Sequence, residues 1–579
     1  MRTANAERRT QNAEFRRARA TLLHSAFCVL RSAFILSAVA LPLFAGSQVT
    51  ARKAALSTAH PLATRVGINV LQQGGNAIDA SVAVAFTLAV AHPQAGNLGG
   101  GGFLVYYDAK SKGIWTLDFR EVAPLAAKKD MFAKESSVTG PLAAGVPGTV
   151  AGLEAMYKRF GSRPWKELLD PAIRLAREGV KVDEELTREL TQESTARNFD
   201  RFTSTTSIFF ANRKPLAAGA TLVQNDLAAT LERIAASGAK DFYDGETGKR
   251  LVENSRAAGG MIGFRDLRDY QPMWRAPIRI RYGNYDVYTM APPAAGGLVI
   301  GEALNILSGY DLAKSGFQTT RSLHLILEAQ RRAYIDRNKY LSDPVNSRIP
   351  YREILSNERA AQWRRTIGDR VTPTSTLTEP NAMAAAEGEH TTHFTIADAQ
   401  GNVAAITTTL SANFGSGFVV PGTGILLNAA MDDFSSTDGK PNREELVQGG
   451  VNAIEPGKRM ASSMAPTIVL RNDKPFLALG TRGGPAIPNT ILQVFLNVAV
   501  YGKPLQEAVA APRWHQQAIP DVIAYELGLA PDATLAALTN LGHPVAARDS
   551  IGDVHALLFD GNRIIAVADP RRGGAAGGF

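Results

Sequence analysis

The order of apolar and polar positions divides the chain into a leader, a helix-rich region and a strand-rich region. An apolar run spans residues 32–45, and the pattern after His60 predicts a helix that carries residues 74–80 and a long apolar helix that ends at Ala91. Four successive glycines, residues 99–102, then lead into the strand-like residues after Phe103. Glycines at a strand start indicate close backbone packing, and a tight loop is the alternative interpretation.

Further along, helical patterns dominate residues 146–260 and 296–370, and strands are predicted near 114–120 and 278–290. The pattern changes after Pro380, because residues 381–390 are small and polar, as in a linker. Residues 391–410 then alternate like two strands around the turn residues 398–402. The sequence therefore predicts a β-hairpin at the start of the last third of the chain.

The predicted hairpin has a definite register. A turn centred on Gln400 pairs residues equally distant from it, so Thr391 faces Thr409 and His393 faces Thr407. Directly opposed side chains share one face of a sheet at hydrogen-bonding distance. Threonine is also a good strand former, so two exposed threonines are the alternative, and a bulge or a one-residue slip would break the pairing.

Length and composition favour a folded α/β enzyme, either one large unit or two intimately packed halves. The chain has 579 residues, of which 45% are hydrophobic and 20% charged, which are ordinary globular values. The formal net charge is +9, but residues 1–32 hold seven arginines against two glutamates, which is more than half of the excess. This concentration of charge argues against a nucleic-acid-binding protein.

The basic stretch and the apolar run together predict a signal peptide, with cleavage near Ala45 or Ala51. A translation start further downstream and a retained anchor are alternatives, because the basic stretch is longer than usual. We expect a periplasmic or secreted protein with no later membrane span. The one cysteine, Cys28, precedes the predicted cleavage site, so the mature protein would hold neither a disulfide nor a reactive thiol.

Seven blocks in the last third follow one another in an order and at spacings that are very specific. They are Thr391-Thr-His-Phe-Thr-Ile-Ala-Asp398, Thr407-Thr-Thr-Leu410, Phe414-Gly-Ser-Gly417, Gly424-Ile-Leu-Leu-Asn428, Met431-Asp-Asp-Phe-Ser435, Ser462-Ser-Met-Ala-Pro-Thr467 and Gly483-Gly-Pro485. This part of the sequence resembles the small subunit of γ-glutamyltransferases. The resemblance extends to residues 60–103, 118–124, 145–148, 328–344, 511–514 and 569–573, so only the N-terminal extension lies outside it.

The resemblance implies a four-layer αββα fold of the N-terminal-nucleophile hydrolase class, made as one precursor that cleaves itself between His390 and Thr391. We therefore expect three segments: a basic extension plus signal peptide at 1–51, a large subunit at 52–390 and a small catalytic subunit at 391–579. A terminal threonine suits this role because its hydroxyl is the nucleophile and its freed α-amino group, with a pKa of about 8, is the base.

The family also implies a role for each of several other residues. Thr409 would hydrogen-bond the Thr391 hydroxyl, and the backbone N–H groups of Gly483 and Gly484 would form the oxyanion hole. The substrate-binding set would comprise Arg120, Ser462 and Ser463 for the α-carboxylate, Asp433 for the α-ammonium group, and Ser411.

The sequence departs from the family pattern at two positions. Ser411 stands where the family has asparagine, and Ala430 stands where it has glutamine or glutamate. Both departures weaken recognition of the ammonium group. The segment from Ser435 to Gly450 occupies the place of the family's lid loop but carries no aromatic residue, so a mobile, charged lid that admits water is expected.

Metal and cofactor sites find little support, because the mature sequence has no cysteine, no HExxH motif and no paired-histidine spacing. We expect no metal and no cofactor, and a structural role for His393. We therefore expect an exported γ-glutamyltransferase or glutathione hydrolase, whose partners are a γ-glutamyl amide and either an acceptor amine or water. The alternatives are an acylase for glutaryl-type amides without the α-amino group, and an uncleaved homologue that only binds small amino-acid derivatives.

Overall fold

Two antiparallel seven-stranded sheets form the centre of the fold. The computed structural model describes residues 47–377, 391–435, 442 and 450–579. Sheet A has the strand order β1-β22-β21-β17-β16-β11-β10, and sheet B has the order β23-β2-β12-β13-β3-β4-β9. The strands are β1 Gln48–Ala51, β2 Ala55–Thr58, β3 Gly101–Asp108, β4 Gly113–Asp118, β5 Val180–Lys181, β6 Phe210–Ala211, β7 Lys214–Pro215, β8 Thr221–Leu222, β9 Met273–Arg275, β10 Ile278–Tyr282, β11 Tyr285–Thr289, β12 Thr391–Ala397, β13 Val403–Thr409, β14 Val419–Val420, β15 Ile425–Leu426, β16 Thr467–Arg471, β17 Lys474–Arg482, β18 Trp514–His515, β19 Ile523–Glu526, β20 Val545–Arg548, β21 Asp553–Asp560, β22 Arg563–Ala568 and β23 Ala575–Gly578.

Helices cover the outer faces of the two sheets. They are α1 Pro61–Gln72, α2 Ala77–Ala91, α3 Thr149–Phe160, α4 Trp165–Glu178, α5 Glu184–Thr191, α6 Glu193–Phe199, α7 Thr203–Phe209, α8 Asn225–Ser237, α9 Ala239–Asp244, α10 Glu246–Ala257, α11 Phe264–Asp269, α12 Gly296–Leu307, α13 Leu312–Ser315, α14 Thr320–Tyr340, α15 Tyr351–Ile354, α16 Asn357–Arg364, α17 Ala486–Ala499, α18 Leu505–Ala510 and α19 Asp532–Asn540. Their distribution confirms the prediction that residues 146–260 and 296–370 are rich in helix.

The alternation of side chains along sheet B produces the four layers. Along β3, Val105 points into the core shared with sheet A, whereas Leu104 and Tyr106 point into the core beneath α1 and α2. Every residue of α2 is buried, which explains its unbroken apolar sequence. On the far side of sheet A, α12 and α17 pack on the strands, and α14 packs on α12. The predicted αββα architecture is confirmed.

The predicted helix across residues 74–80 is wrong, because the chain breaks there into α1 and α2. Gly74 has φ +86°, in the left-handed region that ends helices. Asn76 then caps α2, since its side chain accepts hydrogen bonds from the backbone N–H groups of Ile78 and Asp79 at 2.9 and 3.0 Å. The Gly-Gly-Asn sequence therefore ends α1 and begins α2.

The glycine run provides the close packing that the sequence predicts. A Cβ atom on Gly100 would collide with the carbonyl oxygen of Thr409, and one on Gly102 would collide with that of Thr407. Both carbonyls belong to β13, which pairs with β3 through the register Thr409↔Gly101. The absence of side chains at this corner is what lets β3 lie flat against the strand that ends in Thr409.

The other predicted strands are also present. Strand β4 covers most of the range predicted near 114–120, and the range 278–290 forms the hairpin β10–β11, which reverses direction at Gly283. The leader 1–46, the linker 381–390 and most of the lid loop lie outside the described residues. Across the part of the chain that is described, none of the helices combines the length and apolar character needed to cross a bilayer.

The glycine corner gives a prediction for stability. Gly100→Ala should lower the free energy of unfolding by about 1–3 kcal/mol, because the obstructing atom belongs to the backbone of β13 and cannot swing aside. Gly368→Ala is the matched control, since an added Cβ there would meet its nearest neighbouring atom only at 4.0 Å. Urea unfolding of both variants tests the account, and equal stability would contradict it.

Candidate active site

The hairpin β12–β13 holds the predicted nucleophile opposite its predicted partner. The register pairs Thr391 with Thr409 and His393 with Thr407, as expected from the sequence. The turn is fixed by Asp398, whose Oδ1 accepts hydrogen bonds from the backbone N–H groups of Gln400 and Asn402, both at 2.9 Å. The hydroxyl of Thr391 lies 3.4 Å from that of Thr409.

His393 fills the space between the two sheets next to this pair. Its ring nitrogens lie 2.8 Å from the Thr407 hydroxyl and 2.9 Å from the Thr395 hydroxyl. A Cβ on Gly480 of β17 would overlap the imidazole, so sheet A is shaped to receive it. Burial lowers the pKa of His393 far below its usual value. The ring is therefore neutral, and both of its nitrogens are hydrogen-bonded, which is consistent with a structural role.

A small cleft at this end of the sandwich gathers most of the residues that the sequence singled out. Its volume is about 20 Å³, room for roughly one water molecule. Eight of the nine predicted catalytic and substrate-binding residues line it, and Gly483 is the exception. The lining residues are Arg120, Arg337, Thr391, Thr409, Ser411, Asp433, Asn442, Ala461, Ser462, Ser463, Met464, Gly484 and Ile487. His390, the other side of the predicted cleavage bond, lies outside the described residues.

Arg120 and Asp433 meet directly at one wall of the cleft. Nη2 of Arg120 donates to Oδ2 of Asp433, and its Nη1 donates to Oε2 of Glu121 at 2.7 Å. The hydroxyl of Ser411 donates to the same Asp433 oxygen at 2.7 Å. Burial disfavours the charge on Arg120, but the adjacent carboxylates of Glu121 and Asp433 outweigh burial and raise its pKa. The wall is therefore a buried, charged cluster.

The two neighbouring serines differ in their hydrogen bonding. The Ser462 hydroxyl accepts a hydrogen bond from the Met464 backbone N–H at 3.2 Å. The Ser463 hydroxyl is buried and has no hydrogen-bond partner among the described residues. Since buried hydroxyls in proteins are nearly always satisfied, an unpartnered one on a cleft wall is well suited to bind a ligand.

Gly483 and Gly484 form the turn between β17 and α17. Their φ angles are +128° and +49°, values that side chains rarely adopt, which explains why both positions are glycine. Tyr334 anchors the turn from behind, because its hydroxyl donates to the carbonyl oxygen of Pro485. The turn therefore lies at the N-terminal end of α17, where the helix dipole favours negative charge.

Sequence reasoning missed Glu121, Arg337 and Ile487. Glu121 and Arg337 lie inside blocks of the family resemblance, so their presence there was the available signal.

The two residues that depart from the family pattern occupy different surroundings in the structure. Ser411 lines the cleft with φ +67°, whereas Ala430 is buried in an apolar cluster with Met431 and does not line the cleft.

The sequence model of the gamma-glutamyltranspeptidase family matches residues 63–579. This chain belongs to that family. A curated member from Escherichia coli K12, glutathione hydrolase proenzyme, is 39% identical over 532 residues, which are 90% of this chain and 91% of that protein.

Solved structures of the family and its relatives share the fold. Cephalosporin acylase from Bacillus halodurans superposes with a TM-score of 0.81 at 28% identity, covering 92% of this chain and 97% of that one. Gamma-glutamyltranspeptidase from Helicobacter pylori gives a TM-score of 0.54 at 40% identity, covering 55% of this chain and 93% of that one. Both similarities fit an N-terminal-nucleophile hydrolase fold.

The hairpin geometry gives a prediction about Thr409. Thr409→Val keeps the shape of the side chain but removes the hydroxyl that faces Thr391 and accepts from the Ser411 N–H at 2.8 Å. Losing these bonds should cost about 0.5–1.5 kcal/mol each, seen as slower maturation and lower kcat.

Thr392→Val is the matched control, because the buried Thr392 hydroxyl has no hydrogen-bond partner among the described residues. Maturation and turnover should be close to wild type in this control. If the two valine variants behave alike, the pairing of Thr391 with Thr409 has no role in the chemistry.

Proposed function

We propose that the chain is a γ-glutamyltransferase and glutathione hydrolase that works through an acyl-enzyme on Thr391. The observation that carries the proposal is the convergence, in one cleft, of a threonine pair, a glycine turn and a cluster suited to an α-amino acid. Family membership supports the activity, and relatives at about 40% identity are named glutathione hydrolase proenzymes.

The proposed reaction has two balanced steps. The Thr391 oxygen attacks the γ-carbonyl carbon while its proton passes to the freed α-amino group of the same residue. The oxyanion receives hydrogen bonds from the N–H groups of Gly483 and Gly484. Collapse of the tetrahedral intermediate breaks the C–N bond, and the departing amine takes the proton. Water or an acceptor amine then repeats the sequence on the ester.

Substrate binding would require the wall cluster to exchange partners. The α-carboxylate of a γ-glutamyl group would accept a fork of hydrogen bonds from Arg120, and its ammonium group would replace Arg120 beside Asp433. The unpartnered Ser463 hydroxyl supplies one more bond to the carboxylate. Because Nη2 of Arg120 already pairs with Oδ2 of Asp433, these two groups must separate before each can bind its own part of the substrate.

We also propose the segment boundaries 1–51, 52–390 and 391–579, with export directed by the first. Of the two predicted cleavage points, the one near Ala45 keeps strand β1, Gln48–Ala51, paired with β22 in the mature protein. Strands from both sides of position 391 pair with each other in both sheets, since β12 pairs with β2 and β13 with β3 in sheet B, and β11 pairs with β16 in sheet A. A chain cut before Thr391 would therefore stay together until it is denatured. The bond itself and His390 lie outside the described residues.

One specific observation favours a second function, an acylase for glutaryl-type amides. Ser411 is shorter than the asparagine of the family pattern, and Ala430 offers no polar group, so the ammonium site has fewer partners than the family expects. The similarity to cephalosporin acylase fits this candidate as well. An uncleaved binding protein is the third candidate, and the self-cleavage experiment separates it from both enzymes.

The proposed nucleophile predicts the fate of the precursor. Wild-type protein should separate into two polypeptides on denaturation, whereas Thr391→Ala should stay whole and turn over no γ-glutamyl anilide. Thr392→Ala, which alters the adjacent residue, should be cleaved and active. Denaturing electrophoresis and an anilide assay report both properties, and cleavage of Thr391→Ala at the same bond would eliminate the proposed mechanism.

The ammonium site predicts a modest substrate preference. A glutaryl anilide, which lacks the α-amino group, should be turned over with a kcat/KM within about a thousandfold of that of the γ-glutamyl anilide. Ser411→Asn should widen the gap, because it adds a longer hydrogen-bonding group beside Asp433. Asparagine also tolerates the left-handed backbone at this position. A wild-type preference beyond about a millionfold would remove the acylase candidate.

A further inference from the structure

A second cleft, which we call the distal cleft, lies at the opposite end of strand β12 from Thr391. It is lined in part by the turn that joins β12 to β13, about 20 Å from Thr391 at a rise of about 3.3 Å per strand residue. Its volume is about 620 Å³, within the range of small-molecule sites. It shares no lining residue with the candidate active site, and neither proposed reaction step uses it.

Five cations from three connections line the distal cleft. The bend between β1 and β2 contributes Arg52 and Lys53, the ends of β16 and β17 contribute Arg471 and Lys474, and the start of β22 contributes Arg563. These segments are far apart in the chain and meet only in the folded protein. The concentration of positive charge is therefore a property of the fold.

Most of these cations are not neutralised by the protein. Arg563 pairs with Asp560, but the other four have no ion pair within the part of the chain that the structure describes. The guanidinium carbon of Arg471 lies 4.4 Å from the ring centre of Phe476. This stacking orients the guanidinium without using its N–H donors, so they are available to a ligand.

The turn between β16 and β17 holds two like charges directly opposite each other. Arg471 pairs with Lys474 in the antiparallel register, and the two residues between them, Asn472 and Asp473, have φ angles of +53° and +59°. Positive φ at both central positions is typical of a tight two-residue hairpin turn. Like charges directly opposed on a sheet are destabilising, so the pair is unfavourable in the free protein and would be relieved by a bound anion.

The acidic groups near the cleft are largely engaged elsewhere. Asp398 accepts hydrogen bonds from the backbone of α2 and from the Asn402 side chain, both at 2.8 Å. Asp108 accepts hydrogen bonds from its own loop, and the main-chain oxygen of Phe579 accepts them from the backbone of the β1–β2 bend. Asp473 adds one exposed carboxylate beside the four cations that lack an ion pair. The cleft therefore suits an anion with more than one charge.

The remaining lining indicates that this anion carries an organic group. Tyr107, Pro475, Phe559 and Ile564 add aromatic and apolar surface. Arginine and lysine side chains bind phosphate groups well, and cations spread over separate turns match charges spread over more than one phosphate. A bare diphosphate would leave much of the volume of about 620 Å³ unfilled, whereas an attached organic group could pack against the apolar side.

We propose that the distal cleft binds a small diphosphate ester. The cations of the β1–β2 bend and of the β16–β17 turn hold the diphosphate, and the organic group lies against Tyr107 and Phe559. This site goes beyond the proposed function, because it needs neither Thr391 nor the cleft around it.

The test measures ADP binding to the purified protein by isothermal titration calorimetry, at fixed ionic strength and without divalent cations. Wild-type protein should bind one ADP per chain, and AMP, which has one phosphate, should bind at least about tenfold more weakly. Arg471→Gln combined with Lys474→Gln should weaken ADP binding by at least about tenfold, because it removes two charged donors. Arg52→Gln combined with Lys53→Gln should have a similar effect from the other side of the cleft.

The matched control is Lys166→Gln combined with Arg174→Gln on α4. It also removes one lysine and one arginine, both exposed and both without an ion pair among the described residues, but neither lines the distal cleft. Its affinity for ADP should stay within about twofold of wild type. Without ADP, the Arg471 and Lys474 double variant should unfold at the same or a higher urea concentration than wild type, because it removes the opposed charges.

Three results would overturn the proposal. Wild-type protein that binds no ADP up to millimolar concentration has no such site. Equal losses of affinity in the control and in the two cleft variants would show that ADP binds to diffuse surface charge, and unchanged affinity in the cleft variants would show that it binds elsewhere. Equal affinity for ADP and AMP would show that the diphosphate is not recognised. Calorimetry requires no turnover, so the result is independent of the proposed enzymatic activity.

Discussion

The antiparallel pairing of β12 with β13 is the constraint on which the site depends. It places Thr391 opposite Thr409 at the end of sheet B and directs both side chains toward sheet A. Three features maintain this register: the hydrogen bonds of the Asp398 turn, the fit of His393 against Gly480, and the glycine corner under Thr409. A one-residue slip would turn Thr391 into the helical layer, where no cleft could use it.

The charged wall is a second constraint, and it sets a balance between stability and binding. Arg120, Glu121 and Asp433 are buried together, which is tolerable because the guanidinium of Arg120 pairs with both carboxylates. Under the proposed function, the pairing of Arg120 with Asp433 is broken when an amino-acid headgroup binds. A substrate that supplies both a carboxylate and an ammonium group would replace each broken interaction, and this exchange would make the cluster selective.

Local patterns in the sequence predicted the hairpin register, the glycine corner and the two groups of helices, because each depends on residues close together in the chain. The break at Gly74 was missed because the apolar periodicity continues on both sides of it. The pairing of Arg120 with Asp433 could not be derived, since 313 positions separate them and the family pattern assigns them to different parts of a substrate. Nor does the sequence reveal that Ala430 faces an apolar cluster, because that depends on tertiary packing.

The central claim is that Thr391 becomes a new N-terminus and acts from it. The most direct measurement is N-terminal sequencing of the smaller polypeptide from purified, denatured protein. The account predicts the sequence Thr-Thr-His-Phe, which begins strand β12. An intact chain in folded protein, or a smaller polypeptide beginning at any other residue, would contradict it.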